Sequence, residues 1–221
     1  MSIFKYFTME AHARAFMTRG AMLVRPLSYF RAYEDGQIRG DSSDGTLAYA
    51  PTEGLVLTKE DGTVLTVEGG RFMSSAKCDD IFVFCASNQM TGELAERFES
   101  PFCVEITDPE RLVRHVRARG RAASYLDYQK LTSGSVDYRS SKQKPGADWA
   151  LPDKLAFIKP ESFAWQDEFR IALGKRGAFD VENVDCAIDT GTANAPATLP
   201  NQSHLILRLG RLTDFARLHR F

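Results

Sequence analysis

Ile81, Phe82, Val83, Phe84, Cys85 and Ala86 form an unbroken apolar run, and Ser87 marks its end. A strand with one wet face alternates apolar and polar residues, so a run without alternation predicts a central strand covered on both faces. At 221 residues the chain is long enough for a substantial core and short for two, which predicts a single domain over residues 1–221. Its 43% hydrophobic and 26% charged content excludes general disorder and a disulfide-stapled miniature.

Flanking segments fill in the class. Ile3 to Phe7 reads as a strand, Thr8 as the cap of a helix from Met9 to Arg19, and Gly20 as its left-handed stop. Ala21 to Pro26 is β-prone until the proline, leaving Arg25 near a strand terminus. Residues 34–45 combine glycines with acids and read as a long loop, and Asp61-Gly62 predicts a hairpin within Leu55 to Val67. Thr91 to Phe98 is a predicted short helix, Phe102 to Ile106 a strand, and Asp108-Pro109 opens a helix ending at Gly120. Gly134 to Tyr138 is a weaker strand, and Leu155 to Ile158 is an apolar stretch stopping at Lys159-Pro160. In Glu168 to Leu173, Phe169, Ile171 and Leu173 alternate with Glu168, Arg170 and Ala172. Asp189 to Asn201 is loop-like, His204 to Leu209 a late strand, and Arg211 to His219 a terminal amphipathic helix. The expected class is α+β, with a mixed or mainly antiparallel core of six to eight strands and three to four helices.

The 28 basic and 29 acidic side chains leave a net charge of -1, so no global field steers the chain toward nucleic acid or anionic lipid. The N-terminus lacks a secretory pattern and no apolar stretch reaches a membrane-spanning length, so cytoplasmic residence without a membrane partner is expected. Oligomeric state is left open. The four cysteines are far apart, and the four histidines lack ligand-like spacing. Phosphate-loop, zinc-protease and hydrolase signatures are absent, and no metal is expected.

What stands out is an order along the chain: Arg25 ending an early strand, Ser87 ending the central strand, and Gln166-Asp167-Glu168 entering a late one. This order resembles the arginine, serine and glutamate motifs of the ADP-ribosyltransferase fold. The resemblance implies NAD-dependent mono-ADP-ribosyl transfer to a macromolecular acceptor, nucleic acid or protein, as in a toxin or defence factor. Glu168 would then be the catalytic carboxylate and Gln166 would orient the acceptor. Arg25 and Ser87 would hold and brace the dinucleotide, with Tyr29 and Phe30 stacking on it. Breaking the nicotinamide–ribose bond develops positive charge on the sugar, which a carboxylate stabilises; a guanidinium suits pyrophosphate oxygens. Lys5-Tyr6-Phe7-Thr8, Phe157 to Pro160 and Trp165-x-x-Glu168-x-Arg170 are also similar to an uncharacterised bacterial family with Tyr-x-Thr, Lys-Pro and Trp-x-x-Glu-x-Arg elements. The serine motif here is Cys85-Ala86-Ser87-Asn88, where the transferases carry a Ser-Thr-Ser-like run.

Plainer readings stand beside these. Glu168 as part of a polar strand entrance would pair with Arg170 or Lys159, and Arg25 would pair with the acidic loop. Tyr29, Phe30 and Trp165 would be core aromatics. Arg114, Arg117 and Arg121, in an arginine series with Arg111 and Arg119, suggest a nucleic-acid-binding module without enzymatic activity, or else a solvated helix face. Glu34, Asp35, Asp41 and Asp44 offer oxygen ligands for a divalent metal, or a solvated loop.

Overall fold

The structure is a computed structural model that describes residues 1–31, 43–190 and 203–221. In chain order the strands are β1 (Ile3–Phe7), β2 (Ala21–Pro26), β3 (Thr46–Tyr49), β4 (Leu55–Thr58), β5 (Val64–Val67), β6 (Arg71–Ala76), β7 (Ile81–Ser87) and β8 (Phe102–Ile106). They continue with β9 (Thr132–Ser135), β10 (Asp137–Arg139), β11 (Ile158–Pro160), β12 (Glu168–Gly174), β13 (Val184–Asp189), β14 (Leu205–Arg208) and β15 (Ala216–Arg220). The helices are α1 (Glu10–Arg19), α2 (Leu27–Arg31), α3 (Gly92–Arg97), α4 (Pro109–Arg121) and α5 (Pro152–Leu155). The expected α+β class with mainly antiparallel pairing is what is seen. The helical segments outnumber the expected three or four because α2 and α5 are short turns that sequence periodicity does not register.

The apolar run is the spine of an eight-stranded antiparallel sheet. One edge of β7 is paired along its length by β12, from Glu168 opposite Ser87 to Gly174 opposite Ile81. The other edge forks. β2 takes its first half, with Arg25 opposite Val83 and Pro26 opposite Phe82, while β1 takes its end, with Phe4 opposite Ser87. Beyond the fork, β2 continues to β14, and β1 continues to β8 and β15. Between the two arms the Cys85 carbonyl accepts from Lys5 Nζ at 2.7 Å, so a side chain supplies the donor that a neighbouring strand does not.

Alternation along β7 explains why both its faces are dry. Phe82, Phe84 and Ala86 join a core that includes Ala13 and Phe16 of α1 and Leu112 and Val116 of α4, with Phe16 stacked on Phe84 at 5.8 Å. Ile81 and Val83 face a second core built from Leu27, Leu47, Trp149, Leu155 and Phe179. The small sheet β13-β6-β3 lies on this second side, contributing Leu47 and Ala76. The hairpin β4-β5 forms around Asp61-Gly62, with Gly62 left-handed (φ 83°) after a turn in which its N–H donates to the Lys59 carbonyl. That is a type I turn followed by a glycine bulge, rather than the two-residue turn the dipeptide suggests.

Several boundaries differ from expectation. Met9, not Thr8, sits at the N-cap of α1, and no side chain caps it. Helix α4 runs through Gly120 to Arg121, and Gly120 serves packing rather than a stop: it is buried where Tyr128 Cβ would lie 3.0 Å from an added Cβ. The 134–138 strand is split at buried Val136 into β9 and β10, which belong to different sheets. Lys159 and Pro160 extend an apolar stretch into β11 instead of ending it. The largest difference is at the C-terminus, where Ala216–Arg220 pairs with β8 as β15 and no helix forms. Leu212, Phe215, Ala216 and His219 have helical spacing, but Leu212 and Phe215 bury themselves in a turn before the strand.

The α1–β2 connection depends on Gly20, which is left-handed at φ 60° and lies against Gly210 and Leu209, whose Cβ would be 2.8 Å from an added Cβ. Gly62 is also left-handed, with nothing within 4 Å of that position. Gly20→Ala is therefore expected to lower stability by more than Gly62→Ala, whose loss should stay near ~1 kcal/mol of backbone strain. Denaturant unfolding of the two variants checks this; equal losses would remove the role assigned to the close approach.

Candidate functional site

A cavity of about 270 Å³ opens at the fork, on the face of β7 that carries Val83 and Cys85. Arg25, Tyr29, Phe30, Ser87, Gln166 and Glu168 all line it, although they come from three separate stretches of chain. Lys5, Asp44, Lys159 and Arg170 line it as well.

Four charged side chains form one buried network in its wall. Arg170 Nε donates to Glu168 Oε1 at 2.7 Å, and its two terminal nitrogens donate to Asp44 Oδ1 and Oδ2 at 2.8 and 2.9 Å. A further bond runs from Nη1 to the Ala156 carbonyl at 2.7 Å. Lys159 Nζ donates to Gln166 Oε1 at 2.9 Å and to Glu168 Oε2 at 3.3 Å. No side chain among the four is more than 7% exposed. Burial alone pushes the Glu168 carboxyl up, but the Arg170 guanidinium and the Lys159 ammonium outweigh it and hold the group down at about 2. Arg170 is raised well above its ordinary value, its burial being overcome by Asp44 and Glu168. Glu168 is thus an anion at neutral pH despite its dry surroundings. The pairing of Glu168 with both Lys159 and Arg170 is the arrangement that the plainer reading of this segment anticipates.

Glu168 opens β12, and its N–H donates to Tyr138 Oη at 2.8 Å. Gln166 does not share that strand, contrary to expectation; it ends the 3₁₀ segment Glu161–Gln166. Asp167 stands between them in the left-handed region at φ 40°, a conformation a non-glycine residue adopts only when its surroundings hold it there. The holding groups come from the end of β7. Ser87 Oγ donates to the Gln166 carbonyl at 2.9 Å and lies 3.3 Å from the Asp167 carbonyl. Asn88 Nδ2 and Gln89 Nε2 donate to the Asp167 carboxylate at 3.0 and 2.7 Å. Ser87 therefore braces the turn that sets Gln166 and Glu168 in place.

On the opposite wall the Arg25 guanidinium lies 4.3 Å from the Tyr29 ring centre, and Tyr29 meets Phe30 edge to face at 5.4 Å. Both rings are half-buried, neither sealed in the core nor fully exposed. Trp165, beside Gln166, packs on Phe98 at 5.4 Å, with the Arg97 guanidinium 4.9 Å from its ring. Cys85 shares the cavity, and burial pushes its thiol up, which disfavours the thiolate.

The other sequence candidates separate. Glu34, Asp35 and Asp41 lie outside the described residues. Asp44 presents both oxygens to Arg170, and among the described residues no group of three or more His, Cys, Asp or Glu side chains is placed to hold a metal. Arg114, Arg117 and Arg121, at i, i+3 and i+7, are exposed along one strip of α4, but their contacts differ. Arg114 lines a groove beside β14, whereas Arg117 reaches toward the Leu131 carbonyl and Arg121 lies over Tyr128. The pairing of Asp44 with Arg170 is what sequence reading missed: Asp44 is weighed there only as a metal ligand or a solvated loop acid, and its partner lies 126 positions away.

Among the described residues no helix is long and apolar enough to cross a membrane. Comparisons with protein-family models, with curated proteins and with solved structures found no match.

A carboxylate depressed from 4.5 to about 2 on folding binds fewer protons in the native state, so its stabilisation is complete above pH 4.5 and is lost as the pH falls toward 2. The magnitude is on the order of 3 kcal/mol. Stability followed by denaturant titration at a series of acid pH values is expected to decline across that window in the wild type and to lose this component in Glu168→Gln. An unchanged pH profile in the variant would show that Glu168 titrates normally.

Proposed function

We propose that the cavity binds NAD and that the protein transfers ADP-ribose from it to a macromolecular acceptor. The observation that carries this reading is the convergence of Arg25, Ser87, Gln166 and an ionised Glu168 on one cavity with aromatic walls. The described lining holds four cationic side chains, Lys5, Arg25, Lys159 and Arg170, against two anionic ones, Asp44 and Glu168. Guanidinium and ammonium groups of this kind suit the oxygens of a pyrophosphate. The volume lies just below the usual ~300–1,000 Å³ range of ligand pockets, which suits a nucleoside portion more than a whole dinucleotide. The adenosine half would then extend beyond it.

The chemistry follows from the charges. Cleaving the bond between C1′ of the ribose and the pyridinium nitrogen sends the bonding electrons to nicotinamide, which leaves neutral, and positive charge develops on the sugar. Glu168 stabilises that charge, and because it is already ionised no proton has to move first. An acceptor nucleophile then bonds to C1′ and releases its proton. Lys159 fixes the Gln166 carboxamide, so the group assigned to orienting the acceptor is itself oriented.

The test is calorimetric titration of NAD into wild type and variants, with nicotinamide release followed in the same samples. Wild type is expected to bind and turn over. Glu168→Gln should bind comparably while release falls by about 10²-fold or more, the scale of losing one electrostatic stabiliser. Arg25→Ala should weaken binding by roughly tenfold or more, as expected for a lost charge-assisted contact. Gln166→Ala should reduce transfer more than hydrolysis. No binding by folded wild type, or full turnover by Glu168→Gln, would sink the proposal and leave the charged network a purely structural one.

A further inference from the structure

A second concavity lies on the opposite side of the main sheet from the cavity, where α4 meets the edge strand β14. It is an open groove of about 500 Å³ lined by Arg111, Arg114, His115, Arg119 and Arg208, with a floor that includes Ala118, Ala122 and Leu209. We propose that this groove binds the sugar-phosphate backbone of a nucleic-acid strand.

The argument starts from spacing. Arg111, His115 and Arg119 recur every four residues, so they form a row on one side of α4 spanning about 12 Å at the helical rise. A row of donors along an open channel fits a repeating anion rather than a single one. Complementing the helix dipole accounts for cations in the last turn of α4, but not for Arg208, which belongs to a different element and is exposed at the same groove. All four cations are arginines, whose planar forks suit phosphate oxygens.

Charge is distributed unevenly along the groove. At one end Arg111 pairs with Asp214 at 3.3 Å and packs 4.7 Å from the Phe215 ring, while Arg114 lies 3.7 Å from Asp108 and 3.9 Å from Glu110. At the other end neither Arg119 nor Arg208 forms an ion pair with an acid among the described residues. The stretch from Gly191 to Gln202 that leads toward β14 contains no Asp or Glu. His115 is locked in orientation by a 2.9 Å bond between Nδ1 and the Leu209 carbonyl; the carbonyl only accepts, so Nδ1 donates and Nε2 is the nitrogen left to face elsewhere. A locally positive end survives in a chain whose net charge is -1.

The test is fluorescence anisotropy of a labelled oligouridylate and a labelled DNA duplex between about 50 and 200 mM salt. Wild type is expected to bind with a steep salt dependence. Arg119→Ala combined with Arg208→Ala should weaken binding by about tenfold at low salt and lower the slope of log affinity against log salt by about 1.5, two phosphate contacts' worth. Arg117→Ala with Arg121→Ala removes the same charge from the other side of α4 and should change affinity less than about twofold. Glu168→Gln should bind like wild type, so failure of the transferase reading leaves this result untouched. Absence of binding at low salt, an equal loss in the Arg117/Arg121 pair, or displacement by polyglutamate as effective as displacement by RNA would overturn the proposal. The substituted arginines are exposed, and circular dichroism melting of each variant confirms that the fold is kept.

Discussion

Arg170 is the largest side chain that the structure buries completely, and much of the surrounding architecture exists to satisfy it. A guanidinium removed from water is tolerated only when its donors are matched and its charge balanced. Here Glu168 comes from the same face of the same strand, Asp44 from the segment ahead of β3, and the Ala156 carbonyl from the turn after α5. One side chain thereby ties the main sheet to two segments that pack on its second face. Apolar residues of similar volume often give equal or greater stability than such a network. A buried network of four charges in a cavity wall is accordingly better explained by what it holds in place than by stability.

The fork in the sheet explains why there is a cavity for that wall to face. β7 is paired continuously by β12 on one edge but divides the other between β1 and β2, and the two arms diverge with α1 joining them. Divergence leaves main-chain groups at Cys85 without a strand partner and opens space on the second face. Lys5 fills the hydrogen-bonding gap without filling the space. The end of β7 then serves a second purpose, because Ser87, Asn88 and Gln89 clamp the strained turn at Asp167. Interrupted pairing, a clamped left-handed residue and a buried ionised carboxylate are separate departures from ordinary sheet structure, and they coincide at one place, as departures at functional sites tend to do.

Much of this was legible in the sequence wherever the signal was local. The unbroken apolar run at 81–86 and the alternation from Glu168 to Leu173 identified the two central strands, and Asp108 and Gly20 marked helix ends through capping chemistry. Arg25, Ser87, Gln166 and Glu168 were picked out by their order along the chain, and the fold does bring them to one cavity. What was not legible depended on distant partners. Nothing near Asp44 announces Arg170, and although Lys159 is an expected partner of Glu168, nothing near it announces its burial or its bond to Gln166. The C-terminal strand was misread because the turn residues Leu212 and Phe215, together with Ala216 and His219, reproduce a helical period by coincidence, while the free edge of β8 decides the outcome.

The charges around the cavity divide into two sets with different consequences. Asp44, Glu168, Lys159 and Arg170 sum to zero, and their effect is to keep Glu168 ionised while adding almost no net field. Lys5 and Arg25 stand outside this network, both half-buried rather than enclosed, and each lies near an aromatic ring: Lys5 at 5.0 Å from Phe84 and Arg25 at 4.3 Å from Tyr29. On the proposed reading, Lys5 and Arg25 would contact the anionic part of the ligand, while the balanced four would stabilise a developing cation. Because the two sets share no residue, the proposed function makes affinity and chemistry separable: substitutions at Lys5 or Arg25 would act on binding, those within the network on the proposed reacting carboxylate, and a site that responded otherwise would not be working through these charges.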